Sequence, residues 1–269
     1  MKLLEVQKLK TNGCVDLENL CVINIKGEAD KVIQFLQGQI TSDINKLKLN
    51  SCALSSVCNQ KGQIVSDFII SSQEDGLKIL VSKESARLFV NDLEPYAKFF
   101  GVLFEPSSSK AVGFINMRSK KSMSFVSNDD YVLSIGIDES IDKNTISLED
   151  WEAANIMMGN LMLEKHELGI YRPSDINYDH LRTSFEKGCF RGQEIVARMK
   201  YLGKEKSVFK IFVSKEKIDK LHNTKKVKVL REIHSKDEFI YMCIINKVTL
   251  ETLEKENSIY FIKSPIYLC

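Results

Sequence analysis

The sequence predicts an α+β fold followed by a small all-β region, and three observations carry that expectation. In the first half, short β runs alternate with amphipathic stretches of helical period. Beyond Gly203, four strand-like runs follow one another with charged turns and no convincing long helix between them. The composition, 43% hydrophobic and 28% charged over 269 residues, is that of an ordinary folded chain. That length suits one large or two ordinary domains of roughly 100–200 residues each.

The elements follow in order. Cys21–Ile25 is a β-rich run ending at Gly27, after which Val32, Ile33, Phe35, Leu36 and Ile40 recur at helical spacing. Cys52–Val57 and Ile64–Ile70 flank the turn Asn59-Gln60-Lys61-Gly62, a hairpin in which Gly62 can take a positive φ. Leu77–Val81 is a further strand, and Ser82 is placed to cap a helix carrying Leu88, Phe89 and Leu93 that is disturbed at Pro95. Strands are expected near Ala111–Met117 and Tyr131–Ile137, then a helix from about Leu148 to Gly159 with Trp151, the only tryptophan. The last runs are Val208–Val213, Val227–Leu230, Phe239–Asn246 and Ile259–Ile262. They predict a β-barrel domain over 204–269, bounded from the α+β region 1–203 at Lys204-Glu205-Lys206.

Charge and cysteine usage exclude several classes of function. The 38 basic and 36 acidic residues nearly cancel, so no direct nucleic-acid partner and no anionic membrane surface is expected. No window reaches the roughly 18 apolar residues of a membrane span. Met1–Val6 reads neither as a secretory signal nor as an Arg-rich transit peptide, so the expected compartment is the cytoplasm, where thiols stay reduced. The seven cysteines are an odd number without zinc-type spacing. Neither a disulfide framework nor a resident metal is therefore expected.

The segment richest in chemistry is Lys187-Gly188-Cys189-Phe190-Arg191-Gly192-Gln193-Glu194-Ile195-Val196-Ala197-Arg198. Two glycines bracket a short apolar step, a pattern for a tight loop, and good helix formers begin at Gln193. Glu194 and Arg198 stand one turn apart in the favourable order. Cys189 thus precedes a helix N-terminus and lies between Lys187 and Arg191 in the chain, a setting that favours thiolate. Cys21, Cys52, Cys58 and Cys243 instead sit in apolar strand patterns, as small buried hydrophobes do. Two readings of Cys189 stay open: a chemical thiol, or a small residue fitted between glycines. Asp67 is unusual because strand interiors disfavour Asp. It is either buried with a partner or turned outward to solvent.

The Lys187–Arg198 segment resembles the signature of the YgfZ family, folate-binding proteins that assist maturation or repair of iron–sulfur enzymes. Phe35–Ile44 resembles that family's first helix and its exit, and Trp151-x-x-x-Asn155-Ile156-x-x-Gly159 is similar to a family helix. Pro173–Asn177 resembles the approach to the cysteine loop. Asn59–Asp67 resembles a hairpin shared with the aminomethyltransferase of the glycine cleavage system. The resemblance implies an aminomethyltransferase-like, folate-binding ring of mixed sheets and helices with a C-terminal small β-barrel. It implies Cys189 as the functional thiol, with Lys187, Gly188, Gly192, Gln193, Glu194 and Arg198 shaping its loop. It implies contacts to tetrahydrofolate or a derivative from Trp151, Asp67, Asn155 and the position of Leu20. Trp151 offers a stacking platform, although a lone Trp on such a helix is otherwise a core residue. Asp67 corresponds to a carboxylate that aids proton movement at the pterin. The chain departs from the family at Arg191, at Leu181-Arg182-Thr183-Ser184 in place of a glycine-rich approach, at Leu20 where some relatives carry an aromatic, and in a shorter C-terminal region.

The function so implied is a folate-dependent accessory role in maturing or repairing iron–sulfur enzymes, with those enzymes or cluster carriers as partners. Any effect on tRNA modification would be indirect. The alternative is a folate-dependent aminomethyl or one-carbon transferase. One thiol is too few to hold a cluster alone, since clusters commonly take four ligands.

Overall fold

The computed structural model describes residues 10–128, 130–141, 144–203, 206–221, 225–254 and 259–261. Cys269 and most of the predicted 204–206 boundary lie outside them. Among the described residues the strands form three antiparallel sheets. A five-stranded sheet runs β3 (Ser51–Cys58), β4 (Ile64–Gln73), β5 (Gly76–Ser82), β2 (Leu20–Lys26) and β6 (Leu103–Pro106). A four-stranded sheet runs β1 (Gly13–Asp16), β7 (Ala111–Ile115), β9 (Val132–Ile137) and β8 (Met123–Ser127). The third runs β11 (Val227–Ser235), β12 (Glu238–Asn246), β10 (Ser207–Ser214) and β13 (Ile259–Phe261).

The β3–β4 hairpin forms because Asn59 organises its own turn. Its Oδ1 accepts from the backbone N–H of Lys61 and Gln63, and Gly62 takes φ +70°. Helix α1 (Ala29–Gln39) lays Val32, Phe35 and Leu36 on one side of the five-stranded sheet, where Phe68, Ile70 and Ile79 meet them. Burying each such side chain contributes about 1.5–3 kcal/mol. Helix α2 (Lys83–Ala97) adds Phe89, Leu93 and Ala97 to the same core at i, i+4 spacing. Pro95 does not disturb it as expected. The burial of Leu93 and Ala97 holds the last turn through the proline, and a 3-10 turn continues at Lys98–Phe100.

Among the described residues the C-terminal strands form an open sheet with β11 and β13 at its edges, and the closure expected of a barrel is not seen there. A helix that sequence periodicity did not suggest, Lys247–Glu254, follows β12 and packs Leu250 against Tyr241 and Cys243. Its Val248 and Thr249 are β-branched, which masked a short helical run.

Helix α3 (Leu148–Met157) sits between layers, packing on β1 and β7 to one side and on β11 and β12 to the other. Its side chains share one core with Ile211, Val213, Leu230 and Met242 of the C-terminal sheet. Ser147 caps it through a hydrogen bond from the Asp150 N–H. Gly113 on β7 makes room for Trp151: a Cβ there would lie 2.9 Å from the indole ring. Gly113→Ala should therefore cost about 1–3 kcal/mol, the usual penalty for overpacking. Urea unfolding followed by the emission of the single tryptophan reads both the loss and the displaced ring.

Candidate functional site

A cavity of about 240 Å³ opens where the three sheets converge on α3. This is just below the roughly 300–1,000 Å³ range of small-molecule sites. Leu20 from β2, Ile69 from β4, Phe125 from β8 and Ile233 from β11 line it together with Trp151 and Asn155. Three of the residues expected at a folate site, Leu20, Trp151 and Asn155, are thus brought to one place. Trp151 is both core and wall: it is only 8% exposed, and its ring meets Phe125 edge-on at 6.1 Å. Further polar residues at the cavity are Asn19, Ser82, Glu84, Glu152, Asn160, Glu164 and Arg231. Burial, reinforced by Glu149 and Glu164, pushes the Glu152 carboxyl up despite the opposing charge of Arg231.

The wall at 160–163 is built from behind. Asn155 Nδ2 donates to Trp151 O at 2.8 Å, and Asn160 Nδ2 donates to Asn155 Oδ1 at 2.6 Å. Arg182, 1% exposed, closes the back of this wall. Its Nη2 donates to Asn160 Oδ1 (2.8 Å) and Leu161 O (3.1 Å), while Nη1 donates to Ser55 O and Phe68 O. Asp67 lies here too, behind Leu161 and Leu163 and not among the residues lining the cavity. Its Oδ2 accepts from the Leu163 N–H at 3.0 Å and from the Tyr178 hydroxyl at 2.6 Å. Of the two readings left open for Asp67, burial with partners is the one found. Burial pushes its carboxyl above the usual range, against the Arg182 charge and the Tyr178 and Leu163 hydrogen bonds.

Arg231 ties the C-terminal sheet to the cavity rim. It stands at an irregularity in the β11–β12 ladder and grips Glu167 with Nη1 and Nη2 at 3.0 and 2.7 Å. Nη2 also donates to Met162 O at 2.8 Å. Burial alone would raise the Glu167 carboxyl, but the Arg231 hydrogen bonds and charge hold it below the usual range.

Cys189 lies elsewhere, exposed in a shallow surface concavity beside Gln34, Gln37, Gly38 and Asn45. The structure does not bring it into the Trp151 cavity. Its two neighbouring cations are engaged away from the thiol, a correction to the sequence expectation. Lys187 Nζ donates to Ile40 O (2.7 Å) and Ser42 O (2.9 Å), and burial lowers its pKa to about 8 against the opposing charge of Asp43. Arg191 pairs with Asp92 and donates from Nε to Cys58 O at 2.9 Å. Adjacency in sequence did not reveal that both side chains are anchors pinning the loop to α1 and the hairpin.

The loop's glycines also differ. Gly192 takes φ +81° against the Asn59 carbonyl, whereas a Cβ at Gly188 would meet nothing within 4 Å. Gln193 opens helix α4 (Gln193–Leu202), donating its N–H to Phe190 O, and Glu194 and Arg198 are exposed on that helix. Four other thiols are shielded: burial lifts Cys52, Cys58 and Cys243 to about 12 and raises Cys21 as well.

Sequence reasoning passed over Arg182, Tyr178 and Arg231. Arg182 was visible only as a charged residue inside an otherwise small or apolar approach, and Arg231 as one cation within a strand.

No family model matches the chain. Among curated relatives, a tRNA-modifying protein YgfZ of Colwellia psychrerythraea is 25% identical over 239 residues, covering 76% of this chain and 72% of the relative. Its Buchnera aphidicola counterpart is 28% identical over 237 residues, covering 76% and 74%. An uncharacterized protein of Haemophilus influenzae is 30% identical over 207 residues, covering 74% and 72%. The chain is thus similar to YgfZ proteins over about three quarters of its length. The fold accords with that similarity. Aminomethyltransferase T of the glycine cleavage system from Bartonella henselae superposes with TM-score 0.65 at 12% identity, covering 97% of this chain and 85% of that one. No helix among the described residues is long and apolar enough to cross a membrane.

Proposed function

We propose that this protein is a folate-dependent accessory factor in the maturation or repair of iron–sulfur enzymes, with Cys189 as its functional thiol. The carrying observation is a division of labour: an aromatic-walled cavity at Trp151, and, among the described cysteines, Cys189 exposed on an anchored loop while Cys14, Cys58 and Cys243 are buried. The cavity residues fit a reduced folate. Trp151 and Phe125 supply flat apolar contact, and Asn19 and Glu152 offer polar groups for a heterocycle's edge. The protein contribution there is binding and orientation of a one-carbon carrier. At the loop, a soft sulfur suits transient ligation of client iron or a mixed disulfide with a client cysteine. The relatives' tRNA-modifying name is consistent with an indirect effect through an iron–sulfur modifying enzyme. The placement of Asp67 behind the cavity wall counts against the one-carbon transferase alternative, which would need that carboxylate at the ligand.

Cys189→Ala should abolish maturation of a dependent iron–sulfur enzyme in cells while moving the unfolding midpoint little, within about 0.5 kcal/mol, as for surface substitutions. Client activity and urea unfolding of the variant check both halves. Full client activity with Cys189→Ala would sink the thiol's role.

A further inference from the structure

We propose that Arg182 is a positioning residue that couples the Trp151 cavity to the Cys189 loop, so that a reduced folate in the cavity slows reaction of the thiol. This rests on the reading of that cavity as a folate site. The two places are separate concavities, yet a run of hydrogen bonds linked by short stretches of chain joins them. From the cavity side it passes from Trp151 O to Asn155, from Asn155 to Asn160, and from Asn160 Oδ1 to Arg182 Nη2. From the loop side, Thr41 Oγ1 donates to the Arg182 backbone carbonyl at 2.6 Å, and the Ser184 N–H donates back to Thr41 O at 2.9 Å. Residues 40 and 42, either side of Thr41, hold the Lys187 ammonium two positions before Cys189.

Arg182 is suited to carry a displacement. Its guanidinium is planar and rigid, and four carbonyl oxygens from β3, β4 and the cavity wall grip it at once. A ligand pressing on Asn160, Leu161 or Leu163 therefore acts on Arg182. Arg182 cannot shift without drawing on Thr41 and the chain that leads to Cys189. A filled cavity braces this run and restricts the excursions of the loop.

The test is the alkylation rate of Cys189, read by peptide mass spectrometry on the full chain with and without saturating tetrahydrofolate. Trp151 emission and equilibrium dialysis report occupancy independently. Tetrahydrofolate should slow alkylation about fivefold or more, the low end of usual coupling between sites. In Arg182→Lys the ligand should still be retained while its effect on the rate disappears. A purely structural role would change the basal rate but leave the folate response in place. If Arg182→Lys loses its cooperative unfolding transition, Thr41→Val, which removes the hydroxyl donated to Arg182 O together with its bonds to the Ser56 N–H and hydroxyl, should show the same uncoupling. Tetrahydrofolate that is retained but leaves the wild-type rate unchanged overturns the coupling and spares the folate reading. A folate response that persists in either folded variant also overturns it, and tetrahydrofolate that is not retained overturns both.

Discussion

Gly192→Ala is expected to destabilise the protein by about 3–5 kcal/mol, whereas Gly188→Ala, four residues earlier, should stay within about 0.5 kcal/mol. The contrast follows from backbone geometry. Gly192 takes φ +81°, and a Cβ there would stand 2.3 Å from the Asn59 carbonyl oxygen and 3.1 Å from Cys58 Cβ. The left-handed conformation alone costs an alanine roughly 1–2 kcal/mol. The remainder comes from separating the loop from the hairpin turn, because the obstacle is backbone that cannot rotate aside. Gly188 has open space and an ordinary φ. Urea midpoints of the two variants measure the difference, and equal midpoints would show that the loop does not bear on the hairpin as placed. Since Arg191 anchors the same loop through Cys58 O, Gly192→Ala should also change the alkylation rate of Cys189.

Asp67→Ala should be comparably damaging, about 3–5 kcal/mol, because it strips the buried Arg182 guanidinium of its neighbouring carboxylate and leaves the Leu163 N–H without an acceptor. Asp67→Asn should cost about 1–3 kcal/mol, since the amide oxygen keeps an acceptor for Leu163. The two variants also separate by pH. The native carboxyl holds its proton to higher pH than in the unfolded chain, so between the two values the folded state binds more protons. Stability from this group is full below the ordinary carboxylate range and falls as pH rises through the raised value. Asp67→Asn should remove that fall. Urea midpoints across the acid range check it, and identical slopes for wild type and Asp67→Asn would refute the protonation difference.

Much of the frame was legible because periodicity and turn chemistry act locally. The α1 pattern of Val32, Phe35 and Leu36, the Asn59–Gly62 turn and the α3 segment around Trp151 all appear as expected. Short strands escaped notice where burial supplied no alternation: β6 carries an exposed Leu103 and ends at Pro106, and β8 follows the charged Lys120-Lys121 pair. At the site, residue-by-residue resemblance found Leu20, Trp151 and Asn155, which share a cavity. It could not find the supports. Arg182 meets Ser55 and Phe68 across separations of 127 and 114 residues, a pairing with no local sequence pattern. For the same reason Lys187 and Arg191 looked like electrostatic company for Cys189 when folding commits them to carbonyls and to Asp92.

The position of α3, clasped between the β1–β7 layer and the C-terminal sheet, bears on how the chain can be divided. Ile211, Val213, Leu230 and Met242 give their apolar faces to the same interior as Trp151, Ala154 and Met157. A fragment stopping at Gly203 would turn that interior toward water and lose the Arg231 clasp on Glu167 as well. The C-terminal sheet is thus less an appendage than the far half of a vice. Shortening the chain there takes away one jaw of the cavity along with its stability.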